Sequence, residues 1–342
     1  MPCSERKIGF STGAIAKGDF RRALCLLKDA HVPAVELSAL REHELPELAN
    51  SLPGLDLSSF TYISVHAPSG FKELSEREVV HLLANANSLR LPIVVHPDTI
   101  RSPELWRPFG RLLLVENMDK RKPVGRTTLE LQKVFQDLPE AGFCFDIAHS
   151  RQVDPTMIES AHMLREFQGR LREVHASGVT TRSSHGLISA AAHSAYGIVA
   201  HLIPENVPII LESPVDASMI HDEIEFANTA FSPWFQRLCT DIDHVLDMKT
   251  ETLRRTQAER FLNVLRMTSI RLGDFEQVIK RLPTGWSFSA GDTFLTADDL
   301  LCRLSEQQKS ELKRYLVNRI NEIAREYPDL RSQFREQFAS LE

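Results

Sequence analysis

Cysteine is scarce in this sequence of 342 residues, and no two of its five cysteines have the close spacing of a zinc knuckle. The N-terminus carries no apolar secretion signal, and no apolar run is long enough to span a membrane as a helix. These absences argue against a disulfide framework and a membrane anchor, and they favour a reducing cytoplasm. The cysteines are Cys3, Cys25, Cys144, Cys239 and Cys302.

The sequence also lacks a strong excess of one charge and the glycine-rich motifs of nucleotide-binding proteins. Its formal net charge is −6, which argues against a surface built mainly to neutralise nucleic-acid phosphates. Neither GxGxxG nor GxxxxGK follows the first predicted strand, which argues against a nucleotide-binding open sheet. The length of 342 residues is sufficient for one large domain and a smaller one.

Eight short apolar segments have the length and composition of buried strands. Segments with apolar residues at helical spacing lie between them, and the weakest of these follows the fourth strand, around 103–108. Eight such βα units predict an α/β fold in which a parallel sheet closes into a (β/α)8 barrel, the TIM barrel. The predicted strands are KIGFST, AVELSA, TYISVHAP, PIVVHP, LLLVENM, GFCFDIAH, REVHASG and PIILESP, and the predicted helices are 17–30, 44–51, 75–90, 126–137, 155–168, 191–202 and 217–229.

Six of these strands end in a carboxylate or an imidazole. The C-terminal ends of the strands of such a barrel surround one pocket, so residues far apart in sequence meet there. We therefore expect the six side chains to converge at the barrel mouth, with His149 in the loop just above them. The strand-end residues are His66, His96, Glu116, Asp146, His175 and Glu212.

Each of these residues alone has a structural explanation. A single histidine near a strand end is usually a hydrogen-bonded structural residue, and Asp146 has the position of a helix N-cap. Six ionisable groups at six strand ends cannot all be caps, and without a cation they would leave charges unpaired in a low-dielectric pocket. The sequence therefore predicts a divalent-metal site, with Cys144 as a core thiol rather than a ligand.

Four motifs, VENM, FDIAH, VHASG and LES, resemble those of the xylose isomerase-like barrel superfamily. That superfamily contains sugar isomerases, sugar epimerases and the apurinic endonuclease known as endonuclease IV. The resemblance covers roughly residues 7 to 230 and implies a barrel with a metal site. It does not imply one reaction, because the scaffold supports several chemistries.

Similarity to the isomerase and epimerase branch implies one manganese, magnesium or cobalt ion. Its ligands would be Glu116, Asp146, His175 and Glu212. The ion would polarise a ketose carbonyl and stabilise an enediolate, while Glu116 and Glu212 move the proton. The same likeness makes Arg182 a substrate-binding residue, and a solvated loop position explains Arg182 equally well.

Similarity to the endonuclease branch implies two or three zinc ions instead. The family has an aspartate two residues before its last histidine ligand, where this chain has Ser183, so a two-metal cluster is better supported than a third ion. Two ions bridged by a carboxylate are suited to phosphoester hydrolysis. The implied ligands are His66, His96 and Glu116 for the first ion, Glu116, Asp146, His175 and Glu212 for the second, and His149 and His185 for the third.

Features outside the ligand set favour a small substrate over duplex DNA. The loops after the strands are short, and the basic run from Lys120 to Arg126 is interpreted as a solvated loop rather than a phosphate site. We therefore expect a metal-dependent isomerase or epimerase acting on a sugar or sugar phosphate. Hydrolysis of the endonuclease IV type is the alternative, and a non-catalytic binding scaffold is a second one. Nucleic acid is a less favoured partner, and no membrane partner is expected.

The pattern changes near residue 240, so we assign 1–240 to the barrel and 241–342 to a helical C-terminal domain. Two stretches with helical spacing, VLDMKTETLRRTQAERFLNVLRM and LLCRLSEQQKSELKRYLVNRINEIAREY, flank a break at LPTGWSFSAGD. Thr296 and Asp299 form a capping-box pattern. We expect this part to pack on the barrel, to cover its mouth, or to contact a second copy or another protein.

Overall fold

Eight parallel strands form a closed barrel in the N-terminal part of the protein. The structure is a computed structural model that describes residues 6–180, 182–231, 259, 276, 279–280, 288–290 and 293–333. The strands are β1 (Ile8–Ser11), β2 (Ala34–Ser38), β3 (Tyr62–His66), β4 (Ile93–Val95), β5 (Leu113–Glu116), β6 (Gly142–Asp146), β7 (Leu171–Ala176), β8 (Gly178–Val179), β9 (His185–Gly186) and β10 (Ile209–Leu211). Around the barrel the order is β1-β10-β7-β6-β5-β4-β3-β2, and β8 pairs with β9 separately. The predicted (β/α)8 fold is confirmed.

Helices connect the barrel strands, and several begin at an N-cap residue whose side chain hydrogen-bonds the first turn. Ser75 and Glu78 form a capping box, while Thr127 and Ser189 accept a backbone N–H within the first turn of their helices. The helices are α1 (Thr12–Ala16), α2 (Phe20–Asp29), α3 (Leu45–Ser51), α4 (Glu76–Ser88), α5 (Pro103–Trp106), α6 (Thr128–Asp137), α7 (Ile147–Val153), α8 (Ile158–Glu166), α9 (Ala190–Val199) and α10 (Ile220–Ala230).

Alternate residues of the barrel strands face two different environments. Outward-facing side chains such as Phe10, Val65 and Phe145 pack with the helices in one large apolar core. Inside the barrel, Val94, Leu114 and Cys144 form a small separate apolar cluster, so Cys144 is a core residue. Glu36, Glu173 and His175 are also fully buried inside the barrel, so the arrangement places ionisable groups where water is excluded.

The connection after β6 differs from its prediction. His149 lies in helix α7 and not in a loop above the pocket. The Asp146 carboxylate caps α7 by accepting the His149 backbone N–H at 2.6 Å, so the helix begins directly at the strand end. A strand-end carboxylate that caps the next helix removes the need for a loop. The N-cap position of Asp146 is therefore confirmed, and its role as a metal ligand stays a prediction.

The C-terminal part forms its own unit, since the chain divides into Met1–Phe231 and Ser232–Glu342. Its described elements are β11 (Phe288–Ala290), β12 (Thr293–Leu295), α11 (Ala297–Arg303), α12 (Glu306–Glu326) and α13 (Pro328–Gln333). The capping box of Thr296 and Asp299 is confirmed at α11. The predicted break contains a strand, β11, which pairs antiparallel with β12.

The first predicted C-terminal helical stretch is not described by the structure. Apart from residue 259, VLDMKTETLRRTQAERFLNVLRM lies outside the described residues. Of the helices in the described part of the chain, none combines the length and the apolar character needed to span a membrane.

Gly9 allows β1 to close the barrel against β2, which gives a test of the fold. A Cβ at Gly9 would lie 1.8 Å from the Ala34 carbonyl oxygen, a backbone atom that cannot move without shifting β2. Gly9→Ala should therefore lower the free energy of unfolding by about 1–3 kcal/mol in urea denaturation. Gly169→Ala is the control, since no atom of the described residues lies within 4 Å of a Cβ there. Equal stability of the two variants would contradict this account of barrel closure.

Candidate metal centre

Glu116, at the end of β5, lies between two groups of potential ligands. Its Oε2 atom lies 3.1 Å from His66 Nε2 and 3.3 Å from His96 Nε2. Its Oε1 atom lies 3.2 Å from His149 Nδ1 and 3.7 Å from His175 Nδ1. The two oxygens of one carboxylate thus face different imidazoles. A carboxylate that bridges two metal ions needs this arrangement.

Two compact sets of ligand atoms share Glu116. The atoms of His66, His96 and Glu116 lie within 4.8 Å of one another, and so do those of Glu116, Asp146 and His175. All five residues are buried at the C-terminal ends of β3 to β7. Residues from five strand ends therefore meet as the sequence predicted, although their role as ligands stays a prediction.

Glu212, His149 and His185 complete the surroundings of the second set. Glu212 Oε1 lies 3.7 Å from His175 Nδ1, and Glu212 Oε2 lies 3.5 Å from His185 Nδ1. The His149 and His185 rings are neighbours, with centroids 5.7 Å apart. Ser183, where the endonuclease pattern has an aspartate, donates a hydrogen bond to the Gln152 side chain at 2.9 Å. His149 and His185 are thus close together without the carboxylate that a third ion would gain from that position.

Several buried atoms of this centre lack the hydrogen bonds that their burial requires. In the described part of the chain, Asp146 Oδ2, His175 Nδ1 and Glu212 Oε2 have no hydrogen-bond partner. Buried polar atoms are nearly always satisfied, because an unpaired one costs free energy. Oxygen and imidazole nitrogen atoms are also common ligands of divalent metals. The residues therefore fit a bound divalent cation.

The charge balance of the metal-free centre supports the same conclusion. Burial alone would lower the pKa of His66, but the Glu36 and Glu116 carboxylates raise it to about 9. Burial has the same effect on His149, where Asp146 and Glu116 outweigh it and raise the pKa to about 10. Burial raises the pKa of Asp146 to about 6 despite the opposing charge of His149. Protons on the histidines thus compensate the buried carboxylates.

Glu116 is the exception among these carboxyl groups. Burial alone would raise its pKa, but the neighbouring imidazoles of His96, His175 and His149 hold it well below the usual range. Glu116 therefore remains a carboxylate at the centre of the cluster. Its negative charge is available to a cation on either side.

A cavity of about 350 Å³ opens above the centre and has a basic rim. Lys17, Arg121 and Lys122 line it together with the metal-centre residues. Arg121 pairs with Asp119 at 3.0 Å, and Lys122 pairs with Asp98 at 2.8 Å. Two members of the basic run from Lys120 to Arg126 therefore lie at the mouth.

Arg182 has a different environment from these three cations. Its side chain is exposed and is not among the residues that line the cavity. Its carbonyl accepts a hydrogen bond from Arg121 Nη1 at 3.0 Å. A substrate-binding role for Arg182 stays a prediction from resemblance.

Three residues that the sequence analysis did not identify contact His175 or Asp146 of the centre. Glu36 and Glu173 are fully buried inside the barrel and face His175 Nε2 at 3.1 Å and 2.8 Å. The Asn117 side chain hydrogen-bonds both the backbone N–H and the carbonyl of Asp146. A signal for the two glutamates existed, because each interrupts an apolar strand on the face that also carries polar residues, as in VELS and EVH.

Comparisons with known proteins give only distant likenesses. No protein-family model matches the sequence, and a search of curated proteins finds no match. The crystal structure of endonuclease IV from Thermus thermophilus is similar with a TM-score of 0.45 and 20% identity, over 66% of this chain and 100% of that one. The crystal structure of SacUVDE is similar with a TM-score of 0.41 and 13% identity, over 66% and 97%. No activity or residue role follows from likenesses this distant.

Metal binding should release protons from the centre. Without metal, two of the imidazoles are protonated at pH 7.5: His66 has a pKa of about 9, and surrounding negative charges raise the pKa of His175 well above its usual value against the effect of burial. A ligating imidazole must give up its proton, so Zn²⁺ and the protons compete. Adding Zn²⁺ to metal-free protein in weakly buffered solution should release more than one proton per protein. Binding without proton release would contradict the charge balance described above.

Proposed function

We propose that the protein hydrolyses a phosphoester with the help of two divalent metal ions. The observation that supports this proposal is the position of the two Glu116 oxygens. Oε2 faces His66 and His96, whereas Oε1 faces His149 and His175. One carboxylate with an imidazole group on each side is suited to two adjacent ions. Two-metal sites are typical of enzymes that displace groups at phosphorus.

The first ion would be held by His66, His96 and Glu116, and the second by Glu116, Asp146, His175 and Glu212. When bound, such ions activate a water molecule and stabilise negative charge on phosphoryl oxygens. Most of these ligands are supplied by β-strands or strand ends, which are rigid elements of the barrel. Their positions therefore vary little when the loops move.

Glu212 is suited to take the proton of the attacking water. Its Oε2 atom has no hydrogen-bond partner in the described residues, and its side chain is 11% exposed at the cavity. Burial alone would raise its pKa, but the charges of His185 and His175 lower it, so the group is a carboxylate at neutral pH. The water oxygen forms a bond to phosphorus, the bond to the leaving oxygen breaks, and the proton ends on that oxygen.

The cations at the rim support an anionic substrate. Arg121 and Lys122 already neutralise Asp119 and Asp98, so Lys17 supplies the charge that remains available. Within the described residues, no hydrogen bond or ion pair engages the Lys17 ammonium. The cavity of about 350 Å³ suits a small phosphoester or one nucleotide unit of a longer strand.

Isomerisation or epimerisation of a sugar or sugar phosphate is the second candidate. It is favoured by the compact group of Glu116, Asp146 and His175, which with Glu212 suits a single ion. Glu116 and Glu212 both line the cavity, where two carboxylates can remove a proton from one carbon and return it to the next. This candidate makes no use of His66 and His96 as ligands, and for that reason it ranks second.

Metal content separates the two candidates. Protein purified without added metal and loaded with Zn²⁺ should hold two tightly bound ions per chain by elemental analysis after dialysis. Glu116→Gln should lower occupancy at both positions, because one carboxylate serves both. A single exchangeable Mn²⁺ or Mg²⁺, with no hydrolysis of a phosphodiester reporter, a phosphomonoester or an abasic-site duplex, would favour the isomerase candidate instead.

Glu212→Gln should reduce hydrolysis by about 10²- to 10⁴-fold while the fold and its thermal midpoint are largely kept. The amide cannot accept the proton of the attacking water. Initial rates with the reporter phosphodiester and circular dichroism measure the two properties. Glu159→Gln is the control, since Glu159 binds Thr128 on the outer helices and does not contact the centre. Full turnover in Glu212→Gln would mean that another group takes the proton.

Lys17→Ala should raise KM for the phosphoester by roughly tenfold or less with little change in kcat. Lys17 lines the cavity and is exposed, so its contribution should fall at high ionic strength. Steady-state kinetics at low and high salt measure both effects. Lys133→Ala, which removes an exposed lysine of α6 outside the cavity lining, should leave KM unchanged. An identical KM in the two variants would remove Lys17 from the substrate site.

A further inference from the structure

Two glutamates inside the barrel face the same nitrogen of one potential metal ligand. Glu173 Oε1 lies 2.8 Å from His175 Nε2, and Glu36 Oε2 lies 3.1 Å from the same atom. Both carboxylates are fully buried, and both lie deeper in the barrel than the strand ends that carry Glu116 and Asp146. The hydrogen bond to Glu173 requires that Nε2 carry a hydrogen, because a carboxylate accepts and does not donate. Glu36 Oε2, although close, has no hydrogen-bond partner in the described part of the chain.

Glu173 is held in place by donors from β3, across the barrel interior. Tyr62 donates its hydroxyl to Oε2 at 2.5 Å, and Ser64 donates to Oε1 at 3.2 Å. Because β3 and β7 are not neighbours in the sheet, these contacts cross the barrel interior. Both oxygens of Glu173 are therefore occupied, and its orientation toward His175 is determined from two sides.

The other nitrogen of His175 has the opposite environment. His175 Nδ1 makes no hydrogen bond within the described residues, and it lies 3.7 Å from both Glu116 Oε1 and Glu212 Oε1. A neutral imidazole carries one hydrogen and one lone pair. When His175 is neutral, as a metal ligand must be, a hydrogen on Nε2 leaves the Nδ1 lone pair directed toward the second ion position.

We propose that Glu173 is a positioning residue that fixes His175 in the tautomer with Nδ1 free for the metal. This inference rests on the two-metal centre proposed above. A carboxylate behind a ligating histidine orients the ring and increases its basicity. Tyr62 and Ser64 act one step further away, since they hold Glu173.

The interior groups also allow another interpretation, in which they bind a cation themselves. Cys144, Glu173 and His175 offer atoms within 4.8 Å of one another, as do Glu36, His66 and His175. Burial raises the pKa of the Cys144 thiol well above its usual value, so it stays protonated and is a poor ligand. Glu173 has hydrogen-bond donors on both oxygens. Hydrogen bonds from Tyr62, Ser64 and His175 to Glu173 account for the first of these groups without an additional ion.

Zn²⁺ binding and the His175 tautomer test the inference without any need for catalysis. Full-length wild type, Glu173→Gln and Tyr62→Phe are titrated with Zn²⁺ against a chelator of known affinity. Glu173→Gln should weaken one of the two bound ions by about 10- to 100-fold, because a neutral amide replaces the carboxylate acceptor behind His175. Tyr62→Phe should show a smaller loss in the same direction and remains informative if Glu173→Gln does not fold. Glu159→Gln should bind Zn²⁺ as wild type does.

Nitrogen-15 spectra of histidine-labelled protein loaded with Zn²⁺ provide the readout that a merely structural role would not change. In wild type, His175 should show a protonated Nε2 and a metal-bound Nδ1, with its signals assigned by their loss in His175→Gln. In Glu173→Gln the metal-bound Nδ1 signal should weaken, and the rings without the ion should populate both tautomers. Wild-type affinity and an unchanged tautomer in folded Glu173→Gln and Tyr62→Phe would overturn the inference.

The same proteins distinguish this inference from the proposed function. If wild type hydrolyses phosphoesters and Glu173→Gln keeps its Zn²⁺ affinity, the positioning role is wrong and the function stands. If Glu173→Gln binds Zn²⁺ more weakly and its His175 no longer keeps the hydrogen on Nε2, while wild type hydrolyses no phosphoester, the function is wrong and the positioning role stands.

Discussion

The burial of several carboxylates around Glu116 is the constraint on which the rest of this structure depends. Glu36, Glu116, Asp146 and Glu173 are almost fully removed from water, and Glu212 is nearly so. Carboxylates in such an environment need cations or protons beside them. His66 and His149 provide these protons in the metal-free centre, and under the proposed function neighbouring imidazoles would act as neutral ligands when a cation binds. One set of residues thus compensates the charge in both states.

The barrel tolerates this polar interior because its stability comes from elsewhere. The outward faces of the strands pack with the helices into the large apolar core, whereas Val94, Leu114 and Cys144 form only a small apolar cluster inside. Tyr62 and Ser64 donate hydrogen bonds to the interior carboxylate of Glu173 across the barrel. The interior can therefore specialise in orienting ligands, while the helix layer contributes most of the burial that stabilises the fold.

Several residues combine a structural and a chemical role, which explains why the sequence left their interpretation open. Asp146 caps α7 through the His149 N–H and also has an oxygen without a hydrogen bond at the centre. Arg121 neutralises Asp119 and supports the loop of Arg182 and Ser183, and it also lines the cavity. A structural explanation of such a residue does not exclude a functional one. The two explanations are consistent because a rigid helix start or loop also holds the side chain in a defined position at the centre.

Local patterns in the sequence determined the eight strands, the helices between them and the strand-end positions of Glu116, Asp146 and His175. Strand alternation and helical spacing extend over only a few residues, so they can be read along the chain. Only the tertiary structure decided that the Glu116 oxygens face different histidines, that Glu36 and Glu173 meet His175, and that Lys17 lines the cavity. These contacts join residues far apart in sequence, and the stagger and closure of the barrel set their distances.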